Sequence, residues 1–322
     1  MRLKLVPEKL NIDFFRYVPV AAVISVIAVL ASVVLMFVSG LNYGIDFRGG
    51  TTIRTDAANE VVVSDYRDAL TALDLGDIAI TEVFDPTKPD QNVTQIRIAA
   101  QEGDEAITPE RIEAIKNALL AVDPSMTFPS VESVGPKVSG ELIMTAVYAV
   151  LASIGAVLFY IWLRFEWQFS LGAVAALVHD IVITIGVFSL LQIKFDLAII
   201  AALLTIVGYS LNDTVVVFDR VRENLRKFKQ RELRDVLNLS INETMSRTIM
   251  TSVTTLLALI SLFYLGGDVI HGFVFAMIWG VLVGTYSSVF VASAILSYLG
   301  VTRDWDNKDG GKAGTQFANI DA

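Results

Sequence analysis

Two carboxylates stand where carboxylates are rare. Asp180 interrupts one apolar run, 167–193, and Asp213 interrupts the next, 195–218. An ionised side chain near a bilayer centre costs about 3 kcal/mol on insertion scales, so it normally faces a bundle interior or a water path. The chemistry open to it there is proton binding, because its protonation state follows local charge and hydration. At a rise of ~1.5 Å per residue, Asp180 lies roughly 20 Å along its run and Asp213 roughly 27 Å along the next. Arg247 opens the following run at the same end as Asp213, where the two side chains are placed to pair. Tyr209, Ser210, Asn212, Thr214, Thr248, Thr251 and Ser252 surround them with hydroxyls and an amide that can order a proton path. Plainer readings stand beside these. The Asp213–Arg247 pair can serve only to fix helix register, Asp180 beside His179 can simply bond neighbouring helices, and Arg247 can snorkel to the interface. His271, in a short loop with Gly266, Gly267 and Asp268, reads as a solvated histidine.

Composition removes other chemistries. The 322 residues contain no cysteine, which excludes disulfides, thiolate metal sites and a cysteine nucleophile. Two histidines leave little for a metal centre, and no GxxxxGK[ST], HExxH or GxSxG run is present, which disfavours an intramembrane enzyme. Apolar residues make up 54% and charged residues 18%. That pattern belongs to an integral membrane protein, and the net charge of −9 must then sit in a separate acidic domain.

The elements that position the carboxylates follow from hydropathy. A span needs about 20 apolar residues, and the runs 18–38, 142–163, 167–193, 195–218, 248–267 and 272–300 meet that length. No cleavage pattern follows the first, so it reads as a retained helix. Arg2, Lys4, Lys9, Arg16, Arg164, the basic stretch 220–247 and the tail arginine and lysines fall on one side, against Lys194 in the short loops of the other. Both termini are therefore expected in the cytoplasm. The expected organisation is a cytoplasmic segment 1–17, a first helix 18–40, a periplasmic domain 41–140, a five-helix region 141–300 with a cytoplasmic loop 219–246, and a disordered tail 301–322 rich in Gly and Asp. The loop reads as an amphipathic surface helix or helix pair.

The insertion carries 17 acidic and 8 basic residues. Strands are expected over 51–55, 78–84, 93–99 and 126–134, and helices over 61–75 and from Thr108-Pro109 onward, where an N-cap precedes a proline. The order β-α-β-β-α-β predicts a ferredoxin-like α+β domain of about 90 residues. Gly280 and Gly284 form a GxxxG on the sixth span, a helix-packing pattern. The segment 43–51, YGIDFRGGT, reads chemically as a linker.

Several strings converge on one family. VGYSLNDTVVVFDRVREN at 207–224 resembles the fourth-span signature of the SecF family, the smaller membrane subunit of the bacterial SecDF complex. GIDFRGGT at 44–51, VGPKVS at 134–139, ETMSRTIMTS at 243–252 and GTYSSVFVA at 284–292 agree with it, in order, across 41–299. The resemblance implies an RND-superfamily membrane fold in the cell inner membrane. It also implies use of the proton motive force with SecD in late translocation of preproteins through SecYEG, with YajC as a further candidate partner. Asp213 and Arg247 match positions that the family associates with proton conduction, and Asp180 lies in the matching third-span motif. No cofactor is expected, the residues do not distinguish protons from sodium, and nucleic acid is not an expected partner. The alternative is a subunit of an RND-type small-molecule exporter, for which an insertion this small leaves little room.

Overall fold

The most apolar segment turns its small side chains inward. In a computed structural model that describes residues 11–59, 62–83, 91–99 and 107–301, a short 3-10 turn, Phe14–Arg16, leads into α1 (Val18–Val38). That helix has a mean hydropathy of 2.9, yet its buried residues are Ala21, Ser25 and Ser32. Valines, isoleucines and leucines cover the rest of its surface. In lipid, large apolar side chains gain nothing by leaving the hydrocarbon, so close helix contact falls to small residues.

After α1 come β1 (Asn42–Tyr43) and α2 (Ile45–Arg48), then the inserted domain: β2 (Gly50–Ala57), α3 (Val63–Thr71), β3 (Ile78–Val83), β4 (Asn92–Ala99), α4 (Pro109–Val122) and β5 (Thr127–Val134). The strands form one antiparallel sheet in the order β3-β4-β2-β5, which is the ferredoxin-like topology expected. Register aligns Val131, Ile53, Ile96 and Ile80 in a row across all four strands. That row and Ile98 pack on Tyr66 and Leu70 of α3 and Ile115 and Leu119 of α4. The period of two puts Thr52, Arg54, Gln95, Ser130 and Glu132 on the opposite face. There they look across a polar cleft of about 530 Å³ toward Lys194, Asp196 and His271 at the end of the helix bundle.

The bundle continues with α5 (Pro136–Arg164), α6 (Trp167–Leu191), β6 (Lys194–Phe195), α7 (Leu197–Lys227), α8 (Leu233–Leu265) and α9 (Asp268–Ser287). A π-helical turn, Ser288–Ala292, then joins α9 to α10 (Ser293–Leu299). Among the described residues, six helices are long and apolar enough to cross a membrane. Within them α6, α7 and α9 form the buried centre, while α1, α5 and α8 stand outside and expose most of their surface.

The stretch 219–246, expected as an amphipathic helix or helix pair in a cytoplasmic loop, is helix almost throughout. α7 and α8 run 31 and 33 residues, about 46 and 50 Å at 1.5 Å per residue against ~30 Å of hydrocarbon. Both therefore continue past the membrane as a helical hairpin. Its seam explains the extension: Phe218, Val221 and Leu225 on α7 meet Val236, Leu237 and Ile241 on α8. Arg220 donates to Glu243 at 2.7 Å, and the Asn224 amide donates to Ser240 and Glu243. The apolar positions of the expected amphipathic pattern form this seam. The tail from 302 onward and residues 1–10 lie outside the described residues.

Candidate functional site

The centre of the bundle holds a polar network built from four helices. Asp180 on α6 is fully buried. Its Oδ2 accepts from the hydroxyls of Ser210 on α7, at 2.6 Å, and Ser287 on α9, at 2.7 Å. Its Oδ1 lies 2.9 Å from Nδ1 of His179. The other ring nitrogen, Nε2, contacts Ser25 Oγ on α1 at 3.2 Å. Ser25 in turn lies 2.9 Å from the Tyr286 hydroxyl, which donates to the Ala21 carbonyl at 2.8 Å. The Tyr286 ring stacks on His179 with centroids 6.1 Å apart. The π-helical turn begins just past Ser287. Such turns widen the helical repeat and are frequent at functional sites.

Asp213 lies on the same face of α7, one turn beyond Ser210. It is 2% exposed, and the chain gives it much less. Asn212 Nδ2 approaches Oδ1 at 3.5 Å, the limit of a hydrogen bond. Oδ2 is buried without a partner, as are the Tyr209 hydroxyl and Thr248 Oγ1. Buried polar atoms are nearly always hydrogen-bonded, so each of these unpartnered atoms is unusual. Arg247 acts on Asp213 electrostatically, but no ion pair joins them among the described residues, and its side chain is exposed on α8. Asn212 is exposed too. Thr214 bonds its own helix at Ser210 O, and Ser252 meets Thr285 at 2.7 Å.

The expected residues thus divide. The structure joins Asp180 to Ser210 and leaves Asp213, one turn further along α7, and Thr248 on α8 each with a buried unpartnered oxygen, while Arg247 and Asn212 are exposed. Gly280 and Gly284 lie against Ile206 and Ser210, bringing α9 onto α7 at the level of the network. His271 packs on Phe263 with rings stacked at 4.2 Å, and its Nε2 contacts the Phe263 carbonyl. No group of three or more metal-ligating side chains occurs among the described residues. Sequence reasoning missed Ser25, Ser287 and Tyr286. The signal for the first was present: Ser25 and Ser32 are seven apart in an otherwise apolar helix, facing His179 and Gly186, also seven apart.

The segment read as a linker is an anchor. Gly49 and Gly50 have φ of +73° and +122°, which only glycine adopts freely, and they turn α2 directly into β2. β1 pairs in parallel with β6, Gly44 N–H donates to Phe195 O, and Asp46 accepts from Leu197 N–H at 3.0 Å, capping α7. Phe47 packs on Phe195 beside Phe188.

Residues 114–302 match the family model for the protein export membrane protein SecD/SecF, C-terminal, and residues 34–61 match the SecD/SecF GG motif. Protein translocase subunit SecF of Cereibacter sphaeroides is 64% identical over 322 residues, covering all of this chain and 99% of the relative. That of Rhodobacter capsulatus is 57% identical over 315 residues, covering 96% and 95%. The crystal structure of SecDF, a translocon-associated membrane protein from Thermus thermophilus, superposes with a TM-score of 0.79 at 35% identity. SecDF in a super-membrane-facing form superposes with a TM-score of 0.66 at 38% identity. Each alignment covers 92% of this chain and 40% of the longer SecDF chain.

Proposed function

The chain belongs to the SecD/SecF family of protein-export membrane proteins, and from that premise we propose how it works. It is an accessory membrane subunit of the Sec translocase. It acts with SecD, drawing on the proton motive force to drive late translocation of preproteins through SecYEG, with YajC as a further partner. It sits in the inner membrane with both termini cytoplasmic and residues 41–140 in the periplasm, an orientation supported by the clustering of Lys and Arg at one end of the helices.

The observation that carries the proton reading is the pair of buried carboxylates in a lipid-embedded bundle. Asp180 accepts two hydroxyls and faces an imidazole, and Asp213 has an unpartnered oxygen, as do Tyr209 one turn back on α7 and Thr248 on α8. Asp213 takes up and releases the proton, Thr248 and Tyr209 order its path, and Arg247 biases the charge from outside. The membrane potential supplies ~2.3 kcal/mol per charge per 100 mV, enough to bias helix packing when one proton crosses per cycle. The mechanical output is movement of the α+β domain, which α1, α2 and α5 connect to the bundle.

Asp213→Asn, made in the full complex in membrane vesicles, is expected to leave the chain inserted and assembled while removing proton-dependent stimulation of export. Undiminished export at normal proton motive force overturns the reading. Arg247→Met in the same assay is expected to weaken the stimulation in part, because Arg247 makes no direct contact with Asp213.

A further inference from the structure

The network around Asp180 can be tested by counting hydrogens. Six polar contacts run in sequence through it: Ala21 O with Tyr286, Tyr286 with Ser25, Ser25 with His179, His179 with Asp180, and Asp180 with Ser210 and Ser287. Each needs one hydrogen. The four hydroxyls of Tyr286, Ser25, Ser210 and Ser287 supply one apiece, Ser287 giving its own to Asp180 at 2.7 Å rather than to the Gly284 carbonyl of its own helix at 3.2 Å. Ala21 offers only a carbonyl, so Tyr286 must donate there. Ser25 must then donate to Tyr286, and the hydrogen between Ser25 and His179 must come from the ring. The last two hydrogens, on Nε2 and between Nδ1 and Oδ1, belong to the His179–Asp180 pair. A neutral imidazole beside a carboxylate holds one. The pair satisfies every contact only when it holds two, as imidazolium and carboxylate or as imidazole and carboxylic acid.

We propose that His179 and Asp180 form a proton-holding pair whose loaded state latches α1 to the helix bundle. This rests on the proton-coupled reading of the chain and adds to it a second, separately located proton site with a mechanical consequence. When the pair loses a proton, one of the three contacts Tyr286–Ser25, Ser25–His179 and His179–Asp180 has no hydrogen, and a ring hydrogen kept between Nδ1 and Asp180 puts that gap at Ser25. The affected contacts include Ser25, one of the three buried residues by which α1 is held. α1 leads within a few residues into β1, α2 and the inserted domain, so the latch acts on the helix that carries that domain. The elements packed on the pair limit what else can titrate there. α1 has no charged residue, α5 offers Val150, Ile154 and Val157, and α9 offers Ser287 and the Tyr286 phenol. α7 brings Ser210 and, one turn on, Asp213. The other neighbouring charge is thus the carboxylate already assigned to proton uptake, and a proton passing between the two sites would follow α7 by way of Ser210.

The test uses the full-length chain with its partner subunit in lipid nanodiscs, labelled with 15N-histidine. The chain has two histidines, and a His179→Gln sample assigns the signals. At neutral pH the wild type is expected to show either a His179 ring protonated on both nitrogens or an infrared carboxylic-acid band that disappears in Asp180→Asn. Tyr286→Phe and, independently, Ser25→Ala each remove two contacts and one hydroxyl hydrogen, so the pair needs one hydrogen fewer. Each is expected to return His179 to single protonation with no carboxylic-acid band. A singly protonated ring beside an ionised Asp180 in the wild type overturns the proposal. So does retention of the loaded signature in both variants. Neither measurement depends on export, so loss of the latch leaves the Asp213 assay standing, and failure of that assay leaves the protonation count standing.

Discussion

Asp180 and Asp213 share one apolar bundle, yet their oxygens meet different company. Asp180 accepts two hydroxyls and faces an imidazole, whereas Asp213 has one oxygen with no donor from the chain. Hydrogen bonds to a carboxylate favour its charged form, and their absence leaves that form unsupported. Both residues were legible in the sequence, because an acid inside an apolar run is conspicuous. Their roles were not, because the donors come from helices distant in sequence. Outside the membrane the same rule has a measurable pH signature. Asp123, following α4, accepts from the hydroxyl and backbone N–H of Ser125 and from Asn59. These bonds, the Ser125 hydroxyl first, hold its carboxyl below the ordinary range. A lowered folded-state value contributes stability that is fully present above the unfolded value near 4 and is lost as pH falls through the folded one. Asp123→Ala is therefore expected to destabilise the inserted domain by about 1–2 kcal/mol at neutral pH. The deficit should shrink below about pH 4, measured by urea unfolding of the domain in the full chain.

At the scale of elements, the small residues of α9 are used within the chain. A Cβ at Gly280 would collide with Ile206, and one at Gly284 would stand 3.1 Å from the Cβ of Ser210. The GxxxG therefore fastens α9 to α7 and fixes Ser287 and Ser210 on the two sides of Asp180. Gly155 on α5 has open space around it. Gly280→Ala is expected to lower the thermal stability of the detergent-solubilised protein by about 1–3 kcal/mol through overpacking. Gly155→Ala should be neutral or stabilise by up to about 1 kcal/mol through helix propensity. A thermal-shift comparison of the two decides whether packing or propensity governs. The GxxxG was visible in the sequence, but its partner helix was not, since the motif announces close approach without naming what approaches. The helix pair beyond the membrane was legible too, from apolar positions at helical spacing among its charges, whereas the continuity of its two helices with the spans and the seam of α7 on α8 were not.

At the scale of the molecule, the charge of −9 resides in the insertion, whose residues 41–140 hold 17 acids against 8 bases. This acidic domain is joined to an apolar bundle through one aromatic and hydrogen-bonded joint. Phe47 packs on Phe195 and Phe188, β1 pairs with β6, and Asp46 caps α7. α1, α5 and α8 present their large apolar surfaces outward, where lipid or a partner subunit must cover them. Phe47→Ala is expected to loosen the joint, costing about 3–5 kcal/mol locally. Faster hydrogen exchange at 41–49 and unchanged exchange in α6 and α7 would identify the joint as a local hinge. Unchanged exchange at the joint would show that the β1–β6 pairing alone holds it.

The sequence by itself determined the number of spans, the place and sign of the acidic domain, its ferredoxin-like order and the two intramembrane acids. These are properties of composition and period, which local residues carry. Only the tertiary structure decided that Asp180 is the hub joining α1, α6, α7 and α9. It likewise decided that Arg247 faces outward without an ion pair to Asp213, and that the two glycines before β2 belong to an anchor. Those outcomes depend on which helix face meets which. In lipid that choice rests on small residues and a few hydrogen bonds, whose partners lie up to 265 positions away, as Ala21 and Tyr286 do.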